Sequence, residues 1–272
     1  LWLFLILTVS TMFAVIAAIT AVTAGLAENL IQLNLSIPYW SGFILLFSLL
    51  ILILGKYSFL DRIIKGIIIL LSLTTSLAFL MACGIEKTSL TNAAKFDWSN
   101  NSHIFFLIAF IGWMPAPMDI SIWHSAWSVE KQRSELTPSN LKRVLLDFNI
   151  GYIGTVVLAI FFFLVLGAQV FYGSNEELSS GGVQFAGQLI GMYNRLLGDW
   201  AFYLIAIAAF TTMFSTCITC LDAFPRVVSE AIVRMRKAPL VDNLQYYKLG
   251  LVSLSLGAFL CLVFFIDLLT YP

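Results

Sequence analysis

Long uninterrupted apolar segments constrain the fold of this chain more than any other feature of its sequence. Residues 4–27 and 148–172 contain no charged side chain. A helix of about 20 apolar residues crosses the hydrocarbon core of a bilayer, whereas a membrane-spanning strand needs alternating apolar and polar residues. We therefore predict an all-α polytopic membrane protein with about seven transmembrane helices. The predicted spans are residues 4–27, 40–55, 63–84, 103–127 with an interruption, 148–172, 200–221 and 249–269.

The composition excludes an ordinary soluble domain. Only 11% of the 272 residues are charged, and 15 basic side chains balance 15 acidic ones. With no excess of positive charge, the chain lacks the basic surface that binds nucleic acid. We expect a single transmembrane domain over residues 1–272, without a soluble domain. Because the chain opens inside an apolar segment at Leu1 and stops just after another at Pro272, we also expect it to be incomplete.

The basic residues predict the orientation of the spans. Twelve of the 15 Lys and Arg residues fall in one alternate set of connections, and only Lys87, Lys95 and Arg195 fall in the other. Short loops rich in Lys and Arg remain in the cytoplasm. The first span is therefore predicted to run from inside to outside.

The four cysteines predict packing rather than chemistry. Cys83, Cys217, Cys220 and Cys261 all lie in apolar segments without a nearby histidine. This pattern disfavours a disulfide framework or a zinc site. Cys217 and Cys220 are small residues of the kind that line contacts between membrane helices.

The fourth predicted span contains a helix break, in the segment FIGWMPAPMDISIWHSAW. Pro115 and Pro117 remove two backbone donors and disfavour the α-conformation at the preceding residues, and Gly112 adds flexibility. Broken helices at membrane depth occur where they are buried in protein or line a wet cavity, and in transporters they coordinate ions. A simple proline kink without a ligand is the alternative interpretation.

Asp119 follows this break and is the strongest single candidate for an ion ligand. A carboxylate inside a span is costly, so it should bind a cation, a proton or a partner, although Asp is also a common helix cap. Met114 and Met118 add thioether sulfurs, which suit transition metals better than Mg²⁺ or Ca²⁺. His124 can relay protons at physiological pH, or simply pack near the helix exit.

Three further charged residues are weaker candidates. Glu28 ends the first span within a polar patch near the outer surface, where it can serve a proton pathway or cap the helix. Asp222 and Arg226 are four residues apart, which predicts an ion pair at the cytoplasmic rim, with a gate as the alternative. The sequence contains no phosphate-binding glycine loop, zinc-protease motif or nucleophile elbow, so we do not expect an enzyme.

Several of these segments resemble the Nramp divalent-metal transporters. Met114-Pro115 followed by His124-Ser125 is similar to the sixth helix of that family. Residues 33–40, LNLSIPYW, resemble its turn between helices three and four, and residues 221–226, LDAFPR, resemble the end of its eighth helix. The resemblance implies helices three to nine of a LeuT-like fold of two inverted five-helix repeats. The family's first helix, which supplies further ligands, would lie upstream of Leu1.

The sequence also departs from the family pattern. Ala116 occupies the position of the histidine in Met-Pro-His, and Asp119 has no counterpart. Met114 and His124 are ten residues apart, further than in the family, so Met118 competes with Met114 for the role of sulfur ligand. These differences suggest an Nramp-related bacterial branch.

The resemblance implies proton-linked import of a divalent metal such as Mn²⁺ or Fe²⁺ through a bacterial inner membrane, with the metal as substrate and no cofactor. Met114 or Met118, Asp119 and the carbonyl of Ile111 would bind the metal, while His124, Glu28, Asp222 and Arg226 would serve proton passage or gating. Alternatives are a symporter for amino acids or other organic solutes, a Mg²⁺-transporting relative, and a non-transporting membrane scaffold or intramembrane enzyme subunit. The oligomeric state is left open.

Overall fold

The computed structural model describes residues 2–33, 35–54, 57–83, 97–101, 104, 107–108, 119–134, 141–161, 182–236 and 242–270. Regular structure in these residues is helical throughout, without β-strands, as the sequence predicts. The helices are α1 (Trp2–Ile31), α2 (Ile37–Leu54), α3 (Tyr57–Cys83), α4 (Asp119–Ser134), α5 (Leu141–Ile160), α6 (Gly182–Leu197), α7 (Ala201–Arg236) and α8 (Asp242–Thr270).

Four helices of the described part are long and apolar enough to cross a membrane. They are Trp2–Ile31, Ile37–Leu54, Phe202–Arg236 and Leu244–Phe264, and the shorter apolar helices Ile68–Leu80 and Val144–Ile160 accompany them. Large apolar side chains also cover the outside of the protein; on α2, for example, Phe43 and Leu46 are more than half exposed. Such a surface is stable when it faces lipid. The fold is that of a polytopic all-α membrane protein.

The helices extend beyond several predicted spans. The sixth predicted span ends at residue 221, but α7 continues to Arg236 and includes Pro225. Hydropathy detects only the apolar part of a helix, whereas Arg and Glu are good helix formers and Asp222–Arg226 and Glu230–Arg234 form pairs at i, i+4. Helix α6 was not predicted, because it is amphipathic and too short to span a membrane. The predicted spans 103–127 and 148–172 extend outside the described residues.

The chain divides into two compact units. The first contains Leu1–Leu71 and Leu178–Pro272, and α1 is its centre, packed against α2, α6, α7 and α8. Small polar side chains face the interior of this unit: Thr20, Thr23 and Ser48 are fully buried. Thr20 Oγ1 bonds the Ile16 carbonyl oxygen at 2.7 Å and lies 3.5 Å from Cys217 Sγ. Cys217 and Cys220 are buried free thiols, which agrees with the predicted packing role.

Glycines permit the closest helix contacts in the first unit. A Cβ atom at Gly257 of α8 would lie 2.4 Å from the Phe13 ring of α1, and one at Gly250 would lie 3.1 Å from Pro225 Cβ of α7. Side chains at these positions would force the helices apart. Small residues at helix contacts are the usual means by which membrane helices approach closely.

The second unit, Ser72–Glu177, contains the end of α3 together with α4 and α5. Contacts between aromatic rings stabilise the described part of this unit. The rings of Phe79 and Phe161 stack with centroids 4.3 Å apart, and Phe148 stacks on Tyr152 at 5.5 Å. These rings pack a unit that contains the predicted broken helix.

Candidate functional site

The described part of α4 is Asp119–Ser134, and it follows the predicted break in the sequence. The other proposed metal ligands, Ile111, Met114 and Met118, lie outside the described residues, as do Gly112, Pro115 and Pro117 of the break. The metal-ligand assignment therefore stays a prediction.

His124 lies in α4 of the second unit and is half-buried. Its ring meets the Phe148 ring of α5 edge-on, with centroids 5.3 Å apart. Residues on one face of a helix are three or four apart, so His124, five residues after Asp119, occupies a different face of α4. Asp119 and His124 are therefore close in sequence, but they do not lie one helical turn apart on the same face.

Glu28 lies near the C-terminal end of α1, as the sequence predicts, and bonds a side chain of α2. The indole Nε1 of Trp40 donates to Glu28 Oε2 at 2.5 Å. Trp40 is buried at 7% exposure. This partner was not predicted, because the two residues, 12 positions apart in the sequence, come together only in the folded chain.

A cavity of about 490 Å³ opens beside Glu28. It is lined by Glu28, Asn29 and Gln32 from the end of α1, by Gly187 and Ile190 of α6, and by Phe202 at the start of α7. The α1 helix ends at this wall: the Gln32 amide donates to the Glu28 carbonyl at 2.8 Å, and Gln32 adopts a left-handed φ of 54°. The predicted polar patch is thus one wall of a cavity within the first unit.

The carboxylate of Asp222, also in the first unit, is bound by the side chains of Arg226 and Tyr247. Arg226 donates from Nε to Oδ2 at 3.1 Å and from Nη2 to Oδ1 at 2.9 Å, which makes a bidentate ion pair. The Tyr247 hydroxyl of α8 donates to Oδ1 at 2.6 Å, and the Arg226 guanidinium lies 5.1 Å from the Tyr247 ring centroid. The predicted ion pair is confirmed. Tyr247 was not foreseen, although an aromatic pair at residues 246–247 next to the basic loop was visible in the sequence.

The Asp222 pair is more enclosed than a rim pair. Asp222 is 3% exposed, and α7 continues for ten residues beyond Arg226. Further along the same two helices, Arg236 Nη1 lies 3.3 Å from the Tyr246 hydroxyl. Together with the Pro225–Gly250 contact, these interactions attach α7 to α8 over the halves that the charge count predicts to be cytoplasmic.

The Glu28 and Asp222 carboxylates of the first unit are far apart. Phe202 lines the Glu28 cavity, and Asp222 lies 20 residues further along α7, which is about 30 Å at the rise of an α-helix. Within the described residues no three His, Cys, Asp or Glu side chains converge as ligands for one metal ion. Glu28 and Asp222 therefore belong to separate sites.

Comparison with known proteins identifies the relatives of this chain. The family model described as natural resistance-associated macrophage protein-like, Nramp, matches residues 1–270. An uncharacterized protein of Pasteurella multocida strain Pm70 is 36% identical over 234 residues, which cover 85% of this chain and 53% of the relative. The chain thus spans about half the length of the curated relative that it matches. No solved structure matches it.

Proposed function

This chain belongs to the Nramp family of divalent-metal transporters, and on that premise we propose that it is the central part of a secondary transporter. The transporter imports a divalent cation of the Mn²⁺ and Fe²⁺ class, coupled to protons, through the inner membrane of a bacterium. The metal is a substrate and not a resident cofactor. The family match over residues 1–270 is the observation that carries this proposal, and the membrane-spanning lengths of α1, α2, α7 and α8 support it.

The proposed metal site lies at the break before α4. Asp119 supplies a carboxylate, Met114 or Met118 supplies sulfur, and Ile111 supplies a backbone carbonyl. The mixture of hard oxygen and soft sulfur favours a transition metal over Mg²⁺. The two prolines before Asp119 support this arrangement, because the freed ends of a broken helix are the usual ion-binding elements of inverted-repeat transporters.

The charged residues outside the break receive different roles. His124 is the proposed proton acceptor, since it lies on α4 together with Asp119 and a neutral imidazole ring offers one nitrogen that accepts a proton. We assign Asp222 and Arg226 to a cytoplasmic gate and not to proton passage, because the Asp222 carboxylate is held by a bidentate guanidinium and by the Tyr247 hydroxyl. We propose that Glu28 lies on the outer side of the membrane, where the cation arrives.

Uptake into proteoliposomes tests this proposal. The full-length protein is reconstituted, Mn²⁺ and Mg²⁺ entry are compared, and internal pH is recorded. We expect saturable Mn²⁺ entry with internal acidification, lost in Asp119→Ala and weakened when Met114 or Met118 is changed to Leu. Asp147→Ala is the matched control, because Asp147 is an exposed carboxylate on the neighbouring helix α5 and should leave uptake unchanged.

The other outcomes contradict the proposal in distinct ways. Mg²⁺ entry that is indifferent to both sulfur substitutions would place the protein in a branch that transports hard ions. Unchanged Mn²⁺ uptake in Asp119→Ala would remove Asp119 from the metal site. The absence of any metal flux would favour a symporter for organic solutes.

A further inference from the structure

The outward face of α8 carries a stripe of exposed apolar side chains. Leu249, Leu256 and Leu260 are each more than half exposed, and Val252 between them is 49% exposed. Their spacing of three or four residues places these side chains on one face of the helix. Because α8 contains a segment long and apolar enough to cross a membrane, this face is suited to contact with the acyl chains of lipids. We call these residues the α8 stripe.

Polar side chains lie at the N-terminal end of the α8 stripe. Lys248 directly precedes Leu249, Gln245 lies four residues before Leu249 and therefore on the same face, and both polar side chains are exposed. The distribution of Lys and Arg predicts that this end of α8 is cytoplasmic. Basic side chains at the end of an apolar span reach toward the headgroups of the bilayer. We therefore expect the α8 stripe to end at the level of the cytoplasmic headgroups.

Arg236 brings a second positive charge to this end of α8 from the neighbouring helix α7. Its Nη1 atom donates to the Tyr246 hydroxyl at 3.3 Å, and the guanidinium lies 5.9 Å from the Tyr246 ring centroid. Tyr246 precedes Lys248 by two residues, which is about 3 Å along a helix axis. Tyr246 therefore holds the Arg236 guanidinium at the same membrane level as Lys248.

The positive charge of Arg236 is suited to an anionic ligand. A guanidinium carries five N–H donors in a planar fork that matches the oxygens of a phosphate group. The partner of Arg236 is a neutral tyrosine, which does not cancel this charge. Arg234 differs in this respect, because its Nη2 atom donates to the Glu230 carboxylate at 3.1 Å. Of these two exposed arginines at the end of α7, Arg236 is thus the better phosphate ligand.

We propose that Arg236 and Lys248 bind the phosphate group of an anionic phospholipid of the cytoplasmic leaflet, whose acyl chains lie along the α8 stripe. Basic side chains just outside an apolar span attract anionic lipids, and a guanidinium adds bidentate hydrogen bonds to phosphate. The Gln245 amide can donate to the same headgroup. This lipid site goes beyond the proposed transport function and does not depend on it.

Lipid binding to the full-length protein in a nonionic detergent tests the proposal. The protein is titrated with dioleoyl phosphatidylglycerol or dioleoyl phosphatidylcholine, and native mass spectrometry measures each dissociation constant. The wild type should bind phosphatidylglycerol more tightly, because the choline headgroup also carries a positive charge. Arg236→Gln and Lys248→Gln should each weaken phosphatidylglycerol binding about fivefold, equivalent to about 1 kcal/mol. Equal affinity of the wild type for the two lipids overturns the proposal.

Arg234→Gln is the matched control. It changes the net charge by the same amount, two residues from Arg236, but it removes a side chain that is bonded to Glu230. We expect it to weaken phosphatidylglycerol binding much less than Arg236→Gln does. Arg236→Lys keeps the charge and should recover most of the affinity that Arg236→Gln loses. If Arg234→Gln, Arg236→Gln and Lys248→Gln weaken binding equally, the attraction is a general effect of charge, and the proposed site is wrong.

Inorganic phosphate distinguishes a lipid site from a site for the free anion. The α8 stripe should add contacts with the acyl chains, so phosphate at the same concentration should not displace phosphatidylglycerol from the wild type. Displacement by phosphate overturns the assignment to lipid. None of these measurements requires a transported metal. A protein that binds phosphatidylglycerol through Arg236 and Lys248 but moves no cation would therefore contradict only the proposed function.

Discussion

The Glu28 and Asp222 regions place the same chemical group in opposite environments. Both carboxylates lie in the first compact unit and both accept a hydrogen bond from an aromatic side chain of a neighbouring helix, at 2.5 Å from Trp40 and 2.6 Å from Tyr247. Asp222 is in addition neutralised by a bidentate arginine and buried, whereas Glu28 lines an open cavity of about 490 Å³. The partner and the solvent access, more than the residue type, decide how much an acid contributes to stability.

The difference also explains how each region contributes to the folded protein. A paired and enclosed carboxylate contributes to helix attachment, because its removal leaves a charge without compensation. A carboxylate beside a water-accessible cavity should contribute less to stability, because water can solvate it there. Substitutions in the two regions should therefore affect different observables.

The largest expected effect is that of Asp222→Ala. The change leaves the Arg226 guanidinium and the Tyr247 hydroxyl without their acceptor in a buried setting, which should cost about 3 kcal/mol of stability. Thermal unfolding of the full-length protein in detergent, monitored by size-exclusion chromatography, measures this loss of stability. Glu28→Ala is the counterpart in the open region and should melt much closer to the wild type. Equal losses in the two variants would eliminate the distinction between the regions.

A smaller loss is expected from Gly250→Ala. The new Cβ would lie 3.1 Å from Pro225 Cβ and 3.5 Å from Pro225 Cα, so backbone must shift where α7 and α8 meet beside Asp222. Overpacking of this kind costs about 1–3 kcal/mol. Gly154→Ala on α5 is the control, because nothing lies within 4 Å of the added atom. A Gly250→Ala protein as stable as the control would show that this helix contact is not close-packed.

The smallest effects on stability are expected from the removal of single hydrogen bonds, and they test the difference between the two regions most directly. Double-mutant cycles with Tyr247→Phe and Asp222→Ala, and with Trp40→Phe and Glu28→Ala, separate each bond from the lost volume. We expect a coupling of about 1.5 kcal/mol for Tyr247 with the buried Asp222. Water can replace the Trp40 donor at the cavity wall, so that coupling should be about 0.5 kcal/mol. A stronger coupling for Trp40 than for Tyr247 would contradict the proposed difference in solvent access.

The sequence predicted best those features that depend on neighbours along the chain. The Asp222–Arg226 pair followed from a spacing of four residues on a helix. Apolar length alone identified α1, α2 and α8. The all-α membrane fold was accessible because each of these signals is contained in one segment.

The hydrogen-bond partners on neighbouring helices could not be predicted from the sequence in the same way. Trp40 and Tyr247 reach their carboxylates from other helices, and neither separation, 12 and 25 residues, carries a periodic signal. The cavity depends on α6, whose amphipathic sequence is too short for hydropathy to detect. Similarly, the full length of α7 was missed, since its charged end is helical without being apolar.

The spacing of Asp222 and Arg226 has a consequence for biogenesis. A carboxylate and a guanidinium four residues apart on one helix neutralise each other before any other helix is present. The newly made segment therefore enters the lipid phase as an electrically balanced unit, at a lower cost than two separate charges. Tyr247 can donate to Asp222 only after α8 has been synthesised and has packed against α7. This hydrogen bond therefore requires the complete α7–α8 hairpin.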